Sequence, residues 1–320
     1  MDLLLVALGL IVLFVGGEAT LRGAIGLAQA LCVTPAVIGL TVVGFGTSAP
    51  ELVVTVKAAL AGTPDLAIGN VVGSNIANIL LILGVGGLIY PLACEPRAVK
   101  RDGLMMLFAI GLLCVLGTMG VIVRWHGIVM LILLATFIIG SYMHDRRLNR
   151  LMESERLDQE DVEAVPHNMV LIIVFIIIGL AGLVGGAHML VIGATGIARE
   201  MGIPESVIGL TLVAVGTSLP ELAATIIAAW RKHTELAIAN AMGSCVFNVL
   251  CILGITALIK PIPIAPDIQS VDLWVMLATT VLFLPLLWWT RKINRLEGAA
   301  LLGLYLVYIG SMGPRIPAMS

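Results

Sequence analysis

The chain has 320 residues, of which 59% are hydrophobic and 12% are charged, and its formal net charge at pH 7 is −2. Soluble domains carry about 25% charged residues, so this composition excludes an ordinary soluble protein. A net charge this close to zero also gives no indication of a nucleic-acid partner.

Apolar runs recur along the whole chain. A membrane-spanning helix needs about 20 predominantly apolar residues, and by this criterion hydropathy predicts ten spans. They lie near residues 3–30, 36–59, 65–90, 103–120, 126–143, 168–199, 206–229, 235–259, 271–290 and 297–313. The first run lacks the basic segment and cleavage site of a signal peptide, so we read it as a retained helix. The predicted fold class is an all-α membrane protein.

Several unusual residues near these runs are interpreted as structural. Glu18 stands four residues before Arg22, a spacing that favours an ion pair over a transport ligand. His188 is alone on an apolar helix and is expected to be a hydrogen-bonded core histidine. The cysteines lack the spacing of a metal site, so we expect most of them to be small buried apolar residues, without a disulfide framework. They are Cys32, Cys94, Cys114, Cys245 and Cys251.

One extended polar segment, at residues 144–167, separates five predicted spans from the other five. It contains the basic run RRLNR and then the acidic stretch ESERLDQEDVE, and it is predicted to be a solvated, partly helical linker. The chain is thereby divided into a first transmembrane repeat at 1–143 and a second at 168–320. A regulatory ion site in the acidic stretch is an alternative reading of the linker.

The two halves repeat a motif that contains a glutamate. GFGTSAPEL occupies residues 44–52 and AVGTSLPEL residues 214–222, so Glu51 and Glu221 are 170 positions apart (221 − 51). A constant offset of this kind is hard to obtain by chance and indicates a duplicated fold. The same offset relates Val37–Thr41 to Val207–Thr211, Gly73-Ser74 to Gly243-Ser244, and Asn78 to Asn248.

The predicted orientation of the two halves is opposite. Each half has an odd number of spans, so the second must enter the membrane from the other side. Such inverted repeats are typical of secondary transporters, whose binding site lies between the repeats near the bilayer midplane. With the N-terminus outside, thirteen Lys and Arg residues lie on the cytoplasmic side and five on the outer side. This asymmetry satisfies the positive-inside rule and predicts that both termini are outside and the linker is cytoplasmic.

The repeated motif predicts a broken membrane helix beside a buried carboxylate. Pro50 has no amide hydrogen and clashes with the carbonyl group four residues earlier. Carbonyl groups freed at membrane depth are tolerated where they line a cavity or are buried in protein. Thr47 and Ser48 precede Glu51 by four and three residues, so they share its helical face. A carboxylate at this depth is costly and is a functional-site hypothesis by default. The second half repeats the arrangement with Gly216, Thr217, Ser218, Pro220 and Glu221.

A polar stripe on the next span of each half adds further oxygen atoms. The stripe recurs every four residues, which places its members on one helix face. It consists of Asn70, Ser74 and Asn78 in the first half and of Asn240, Ser244 and Asn248 in the second. Carboxylate, hydroxyl and carbonyl oxygens are the ligands that Ca²⁺ and Na⁺ prefer. Asn75 has Cys245 as its counterpart, so this pair is not expected to be a shared ligand.

The two glutamates limit the charge of this predicted site to −2. One Ca²⁺ neutralises both carboxylates, and so do Na⁺ ions or protons, whereas overfilling is heavily penalised at low dielectric. Mutually exclusive occupancy is what an antiporter needs. The sequence therefore leads to the hypothesis that Ca²⁺ and Na⁺ compete for one site.

These motifs resemble the α-repeats of the sodium/calcium exchanger superfamily, the Ca²⁺:cation antiporters, in its prokaryotic branch. The resemblance covers essentially the whole chain, and its signature is GTS-x-PE followed by GS-x-x-x-N in each half. It implies about ten transmembrane helices in two inverted five-helix repeats, and Na⁺/Ca²⁺ exchange by alternating access across the plasma (bacterial inner) membrane. It also implies that spans one and six are the long, tilted helices that slide against the ligand bundle.

The resemblance further implies a set of ion ligands. They are Thr47, Ser48, Glu51, Ser74 and Asn78 in the first half, Thr217, Ser218, Glu221, Ser244 and Asn248 in the second, and the backbone carbonyls of Gly44 and Ala214 for Na⁺. K⁺-dependent members and some archaeal relatives carry Asp at the position of Asn248. Asparagine at both Asn78 and Asn248 resembles the K⁺-independent animal exchangers instead.

Other functions are weighed against this interpretation. Ca²⁺/H⁺ exchange is open to two membrane glutamates, although a proton needs no hydroxyl-rich ligand set. K⁺-dependent exchange is a further alternative, and a passive cation channel is a remote one because a channel needs a continuous pore. The chain has no nucleophile–base pair or cofactor motif, so we expect neither an enzyme nor a cofactor. The expected partners are Ca²⁺, Na⁺ and membrane lipid, with no nucleic acid and no obligate protein partner.

Overall fold

The computed structural model describes residues 1–152, 166, 168–202, 214–266 and 268–312. This part of the chain is helical apart from four two-residue strands. The helices are α1 (Asp2–Leu31), α2 (Pro35–Ile38), α3 (Gly44–Thr47), α4 (Ala49–Ala61), α5 (Pro64–Ala77), α6 (Leu83–Ile89), α7 (Pro96–Thr118), α8 (Arg124–Met152), α9 (Met169–Glu200), α10 (Ala214–Gly216), α11 (Leu219–Trp230), α12 (Thr234–Phe247), α13 (Gly254–Ile259), α14 (Leu273–Thr290) and α15 (Arg295–Met312). The π-helical turns are Gly39–Val43, Asn78–Ile82, Asn248–Leu253 and Ile268–Asp272.

Helices overlap all ten predicted spans, but they do not all meet the length and apolarity of a membrane span. Within the described residues six segments do so, and they are Asp2–Leu31, Pro64–Ile89, Arg124–Arg147, Met169–Glu200, Thr234–Ile259 and Ile268–Thr290. A seventh would be the pair Pro35–Thr47 and Ala49–Ala61, which is bent by 44°. The start of the predicted span 206–229 and the repeat segment 207–211 lie outside the described residues. The all-helical membrane class is confirmed, and the count of ten spans stays a prediction.

Helix α8 extends into the segment that is predicted to be a partly helical linker. Helix α8 continues to Met152, nine residues beyond the predicted end of span five at 143 (152 − 143). Hydropathy detects only the apolar part of a helix, and the charged run after residue 143 extends the same helix beyond it. Most of the rest of the linker lies outside the described residues.

Short antiparallel strand pairs connect the two halves at both ends of the helices. β1 (Leu92–Ala93) pairs with β4 (Lys292–Ile293), and β2 (Val121–Ile122) pairs with β3 (Ile262–Pro263). β3 follows β1 by 170 residues (262 − 92) and β4 follows β2 by 171 (292 − 121). Each half therefore contributes two strands, and the first strand of each half pairs with the second strand of the other half.

The core of the molecule lies along two long segments, Pro64–Ile89 and Thr234–Ile259. They are 72% and 83% buried over their most apolar stretches, against 28% for α1 and for α9. The core segments carry the polar stripe of each half, so the stripe is enclosed by protein rather than lipid. This is the environment that intramembrane polar residues require.

Helices α1 and α9 pack against each other along glycines spaced by seven residues. A Cβ on Gly16 would lie 2.7 Å from the backbone nitrogen of Leu183, and one on Gly186 would lie 2.7 Å from that of Leu13. Small residues at such positions allow membrane helices to approach closely. The contact makes α1 and α9 a closely packed pair at the edge of the core.

Candidate cation-binding site

Each repeated motif breaks its helix at a serine. α3 ends at Thr47, α4 begins at Ala49, and Ser48 between them has φ −83° and ψ 6°. Pro50 occupies the first turn of α4, where the missing amide hydrogen would have had no helical partner. Glu51 follows in the same first turn, where the unpaired amide groups of a helix favour a negative charge. The break predicted from the motif is thus confirmed.

The second motif has the same local geometry. Ser218 has φ −89° and ψ 5°, and it precedes α11, whose first turn holds Pro220 and Glu221. Both glutamates are only 1% exposed. Two equivalent helix starts therefore bring two carboxylates into the protein interior.

The serine of each motif binds the glutamate of the other. The Ser48 hydroxyl donates to Glu221 Oε1 over 3.0 Å, and the Ser218 hydroxyl donates to Glu51 Oε1 over 3.3 Å. Because Ser48 and Glu51 lie at one helix start and Ser218 and Glu221 at the other, these two bonds bring both carboxylates to the same place. Residues separated by about half of the chain thus form one cluster.

Further predicted site residues join this cluster. Ser74 Oγ lies 3.3 Å from Ser218 Oγ. The Thr47 hydroxyl lies beside Glu221 and the Thr217 hydroxyl beside Glu51. Each motif therefore surrounds the carboxylate of the opposite motif with hydroxyl groups.

Besides Asn240 Oδ1 of the polar stripe, four buried oxygen atoms on predicted ligand residues have no hydrogen-bond partner among the described residues. They are Glu51 Oε2, Glu221 Oε2, Asn78 Oδ1 and Asn248 Oδ1. Buried acceptors without a donor are costly, and native structures rarely leave them so. These four come from equivalent positions in the two halves, and carboxylate and amide oxygens of this kind are ligands that hard cations prefer. No group of three or more His, Cys, Asp or Glu side chains converges in the described chain, so hydroxyls and amides would have to complete the ligand set.

The backbone carbonyls predicted to help bind Na⁺ differ between the halves. The Gly44 carbonyl accepts from the Ser48 amide over 3.1 Å and from the Ser244 hydroxyl over 3.5 Å. At the equivalent point the Ser218 amide donates to the Val215 carbonyl over 3.1 Å. Ala214 directly follows residues outside the described range. The structure therefore brings the Gly44 carbonyl beside Ser244 of the other half, and it gives no equivalent bond for Ala214.

Sequence reasoning missed a pair of supporting contacts beside the glutamates. Asn70 Nδ2 donates to Thr55 Oγ1 over 3.0 Å, and Asn240 Nδ2 donates to Thr225 Oγ1 over 3.3 Å. Both threonines are fully buried. They lie four residues after Glu51 and Glu221, so helical spacing within each half was the available signal.

Among the residues that the sequence assigned a structural role, Glu18 and most cysteines behave as predicted and His188 does not. Glu18 pairs with Arg22 at 2.8 Å, as predicted, and also with Arg231 at 2.9 Å. His188 is exposed, so the expectation of a core histidine is wrong, because this face of α9 points away from the core. Three cysteines are buried as expected. They are Cys114, Cys245 and Cys251.

A cavity lies beside the cluster. Its volume is about 330 Å³ as bounded by the described residues. Its lining includes Ser74, Thr217 and Ser218 of the cluster together with Asp272 and Tyr305. Hydroxyl groups of the cluster therefore face space large enough to admit water and ions.

Known proteins resemble the chain over nearly its whole length. The sequence model of the family "Sodium/calcium exchanger protein" matches residues 1–143 and 171–312. Sodium/calcium exchanger MaX1 of Methanosarcina acetivorans is 32% identical over 340 residues, covering 96% of this chain and 97% of the relative. The putative antiporter CaxA of Alkalimonas amylolytica is 34% identical over 311 residues, covering 95% of this chain and 96% of the relative.

A solved structure extends this similarity to the fold. The sodium-calcium exchanger NCX_Mj, soaked with Na⁺ and Sr²⁺, matches with a TM-score of 0.82 at 31% identity, over 97% of this chain and 98% of that chain. The chain therefore belongs to the sodium/calcium exchanger protein family.

Proposed function

We propose that the chain is a secondary antiporter that exchanges Ca²⁺ for Na⁺ across the plasma (bacterial inner) membrane. Membership of the family supports a membrane cation exchanger over an enzyme. The observation that carries the proposal is the set of four buried oxygens without partners, two from carboxylates and two from amides. Such oxygens are suited to hard cations.

The proposed ligands are the side chains predicted from the two motifs and stripes. Glu51 and Glu221 supply the two negative charges, and one Ca²⁺ balances both. Na⁺ ions balance the same charge singly, so both ions cannot occupy the site in full together. This exclusion couples the two transport directions, because the site would change the side from which it is open while carrying one kind of cargo or the other. The hydroxyls, the Asn78 and Asn248 amides and the Gly44 and Ala214 carbonyls complete the proposed ligand set.

We further propose ten spans in two inverted repeats, 1–143 and 168–320, with a cytoplasmic linker at 144–167. The crossed strand pairs and the crossed serine–glutamate bonds support this arrangement, because replacing each residue by its counterpart about 170 positions away turns one contact of each pair into the other. The positive-inside rule supports termini on the outer side. In this orientation the cavity beside Ser74 and Thr217 extends from the cluster toward the outer side, where α15 ends.

The decisive experiment is Ca²⁺ uptake into proteoliposomes that contain the purified protein. A Na⁺ gradient and a pH gradient are imposed separately, with and without K⁺. We expect uptake driven by the Na⁺ gradient and independent of K⁺. Uptake driven by the pH gradient alone would identify a Ca²⁺/H⁺ exchanger, and uptake without any counter-gradient would identify a passive pathway. Cysteine accessibility in the linker would test the orientation, since labelling from outside the cell would contradict it.

A further inference from the structure

We propose that Asn75 is a positioning residue that holds the Asn248 amide with its oxygen directed at the cation site. The inference rests on the proposed function, because it concerns the ligand set of the same site. Asn75 lies one residue after Ser74 on α5 and is fully buried. It is not expected to touch the cation, since its amide is already bound on both sides.

The first step is the contact between the two amides. Asn248 Nδ2 donates to Asn75 Oδ1 over 3.0 Å, and this bond joins the two halves of the chain. The nitrogen of Asn248 is thereby occupied, while its Oδ1 is buried without a partner among the described residues. An amide has one oxygen and one nitrogen end, so fixing the nitrogen on Asn75 leaves the oxygen for the cluster.

The second step is what prevents the amides from turning over together. If both amides rotated by 180°, Asn75 would donate to Asn248, and Asn248 would present N–H groups to the cation instead of an oxygen. The mutual hydrogen bond would survive this change. However, the other end of Asn75 faces Met276 Sδ, with Nδ2 donating to it over 3.5 Å. A thioether accepts a hydrogen bond weakly and cannot donate one, so it favours the nitrogen of Asn75 on its side. Met276 and Asn75 together therefore select the oxygen-inward orientation of Asn248.

The third step is the difference between the halves. Asn78, the counterpart of Asn248, donates through Nδ2 to the Ser74 carbonyl of its own helix over 2.8 Å. The residue that would stand in for Asn75 on that side is Cys245 (75 + 170), whose thiol donates weakly to the Asn75 backbone carbonyl over 3.7 Å. One amide ligand is thus oriented locally and the other across the interface. Replacing Asn75 should consequently affect Asn248 and leave Asn78 unchanged.

The test is a double-mutant cycle on Ca²⁺ affinity, measured by calorimetry on the purified full-length protein. We expect Asn75→Ala to weaken Ca²⁺ binding by roughly tenfold or more, as for other partners that orient a metal ligand. Asn248→Ala should show a similar or larger loss, and the double variant should be no worse than Asn248→Ala alone. In flux assays the KM for Ca²⁺ should rise more than the maximal rate falls. If the fold loss of Ca²⁺ affinity in the double variant equals the product of the two single-variant losses, the inference is wrong.

Two further variants separate orientation from folding. Met276→Leu keeps the volume, removes the sulfur acceptor, and should shift Ca²⁺ affinity in the same direction by a smaller factor, even if Asn75→Ala folds poorly. An unchanged affinity in Met276→Leu would refute the selection of the amide orientation. Cys245→Ala is the matched control at the repeat-related position and should stay within about twofold of wild type, because its weak hydrogen bond goes to the Asn75 backbone carbonyl and not to the Asn75 amide.

The same experiment distinguishes failure of the inference from failure of the proposed function. If wild-type protein binds Ca²⁺ and the cycle behaves as expected but no Na⁺ gradient drives uptake, the exchange proposal is wrong and the role of Asn75 stands. If Na⁺-driven uptake is present but the cycle is multiplicative, only the role of Asn75 is wrong. A wild type that binds no Ca²⁺ would overturn both.

Discussion

Removing one of the two buried charges should abolish Ca²⁺ transport. The replacement Glu51→Gln keeps the size of the side chain and its contact with Ser218, but it removes one unit of negative charge. Glu51 is 1% exposed, and its Oε2 has no partner among the described residues. In the variant an amide nitrogen can occupy that position and would point a donor at the cation. Glu221→Gln makes the equivalent change in the other half.

The size of the effect follows from the charges. Two unit charges 4 Å apart interact by about 4 kcal/mol at an effective dielectric constant of about 20. Removing one carboxylate charge therefore removes about 8 kcal/mol of attraction for a divalent ion and about 4 kcal/mol for a monovalent ion. Since about 1.4 kcal/mol corresponds to a factor of ten, half of the divalent loss alone lowers Ca²⁺ affinity by about 10³-fold. Glu51→Gln and Glu221→Gln should lower the Ca²⁺ affinity to a similar extent, and each should lower the Na⁺ affinity less than the Ca²⁺ affinity.

The assay is Ca²⁺ binding by calorimetry together with Na⁺-driven Ca²⁺ uptake in proteoliposomes. Glu18→Gln is the matched control, because Glu18 is also a glutamate within a predicted span but pairs with Arg22 and Arg231 outside the cluster. It should leave Ca²⁺ affinity near that of wild type. Near-normal uptake in either Glu51→Gln or Glu221→Gln would remove the glutamates from the mechanism.

Three further predictions follow from the same geometry. Ca²⁺ affinity should fall steadily as Na⁺ is raised, and a calorimetric affinity indifferent to Na⁺ would refute competition for one site. Ser48→Ala removes a hydrogen bond to the buried Glu221 carboxylate and should weaken Ca²⁺ binding by about ten- to a hundredfold, in line with about 1.5–3 kcal/mol for a bond to a charged group; unchanged binding would contradict this. Gly186→Ala should lower the melting temperature, since its Cβ would lie 2.7 Å from the Leu13 backbone nitrogen, and overpacking costs about 1–3 kcal/mol. Gly185→Ala is its control, because a Cβ there meets nothing within 4 Å among the described residues, and equal melting temperatures would contradict the close contact.

The fold was predictable from the sequence where a helix is both long and apolar. The predicted spans 65–90 and 235–259 agree with Pro64–Ile89 and Thr234–Ile259 within about one residue. Hydropathy did not locate the end of a helix where its last residues are charged, as in the extension of α8 to Met152. The two-residue strands were not predicted, because so short a stretch has no periodicity to detect.

The residues of the candidate site were predictable, but their partners were not. A constant sequence offset identifies equivalent residues, and it carries no information about which residue contacts which. The sequence therefore indicated that Glu51 and Glu221 share a role, whereas only the fold shows that Ser48 binds Glu221 and Ser218 binds Glu51. Asn75 was set aside because its counterpart is Cys245. In the structure Asn75 nevertheless binds Asn248 across the interface.

The crossed bonds also bear on which part of the protein can move during transport. Ser48, Glu51 and their counterparts lie at the starts of α4 and α11 and are bonded to each other, so separating these helices would dismantle the cluster. By contrast, none of the proposed ligands lies on α1 or α9, which pack together through glycines.

The contacts of α1 with the ligand-bearing helices suit such movement. Glu18 of α1 forms an ion pair with Arg231, the residue after α11, and the arginine side chain is 45% exposed. An ion pair with that exposure contributes about 0–1 kcal/mol, so breaking it would cost little. Gly17 of α1 lies against Ile227 of α11 and presents no side chain that would interlock with it. The cross-bonded ligand cluster is therefore compatible with the predicted alternating access, in which α1 and α9 would move relative to an intact site.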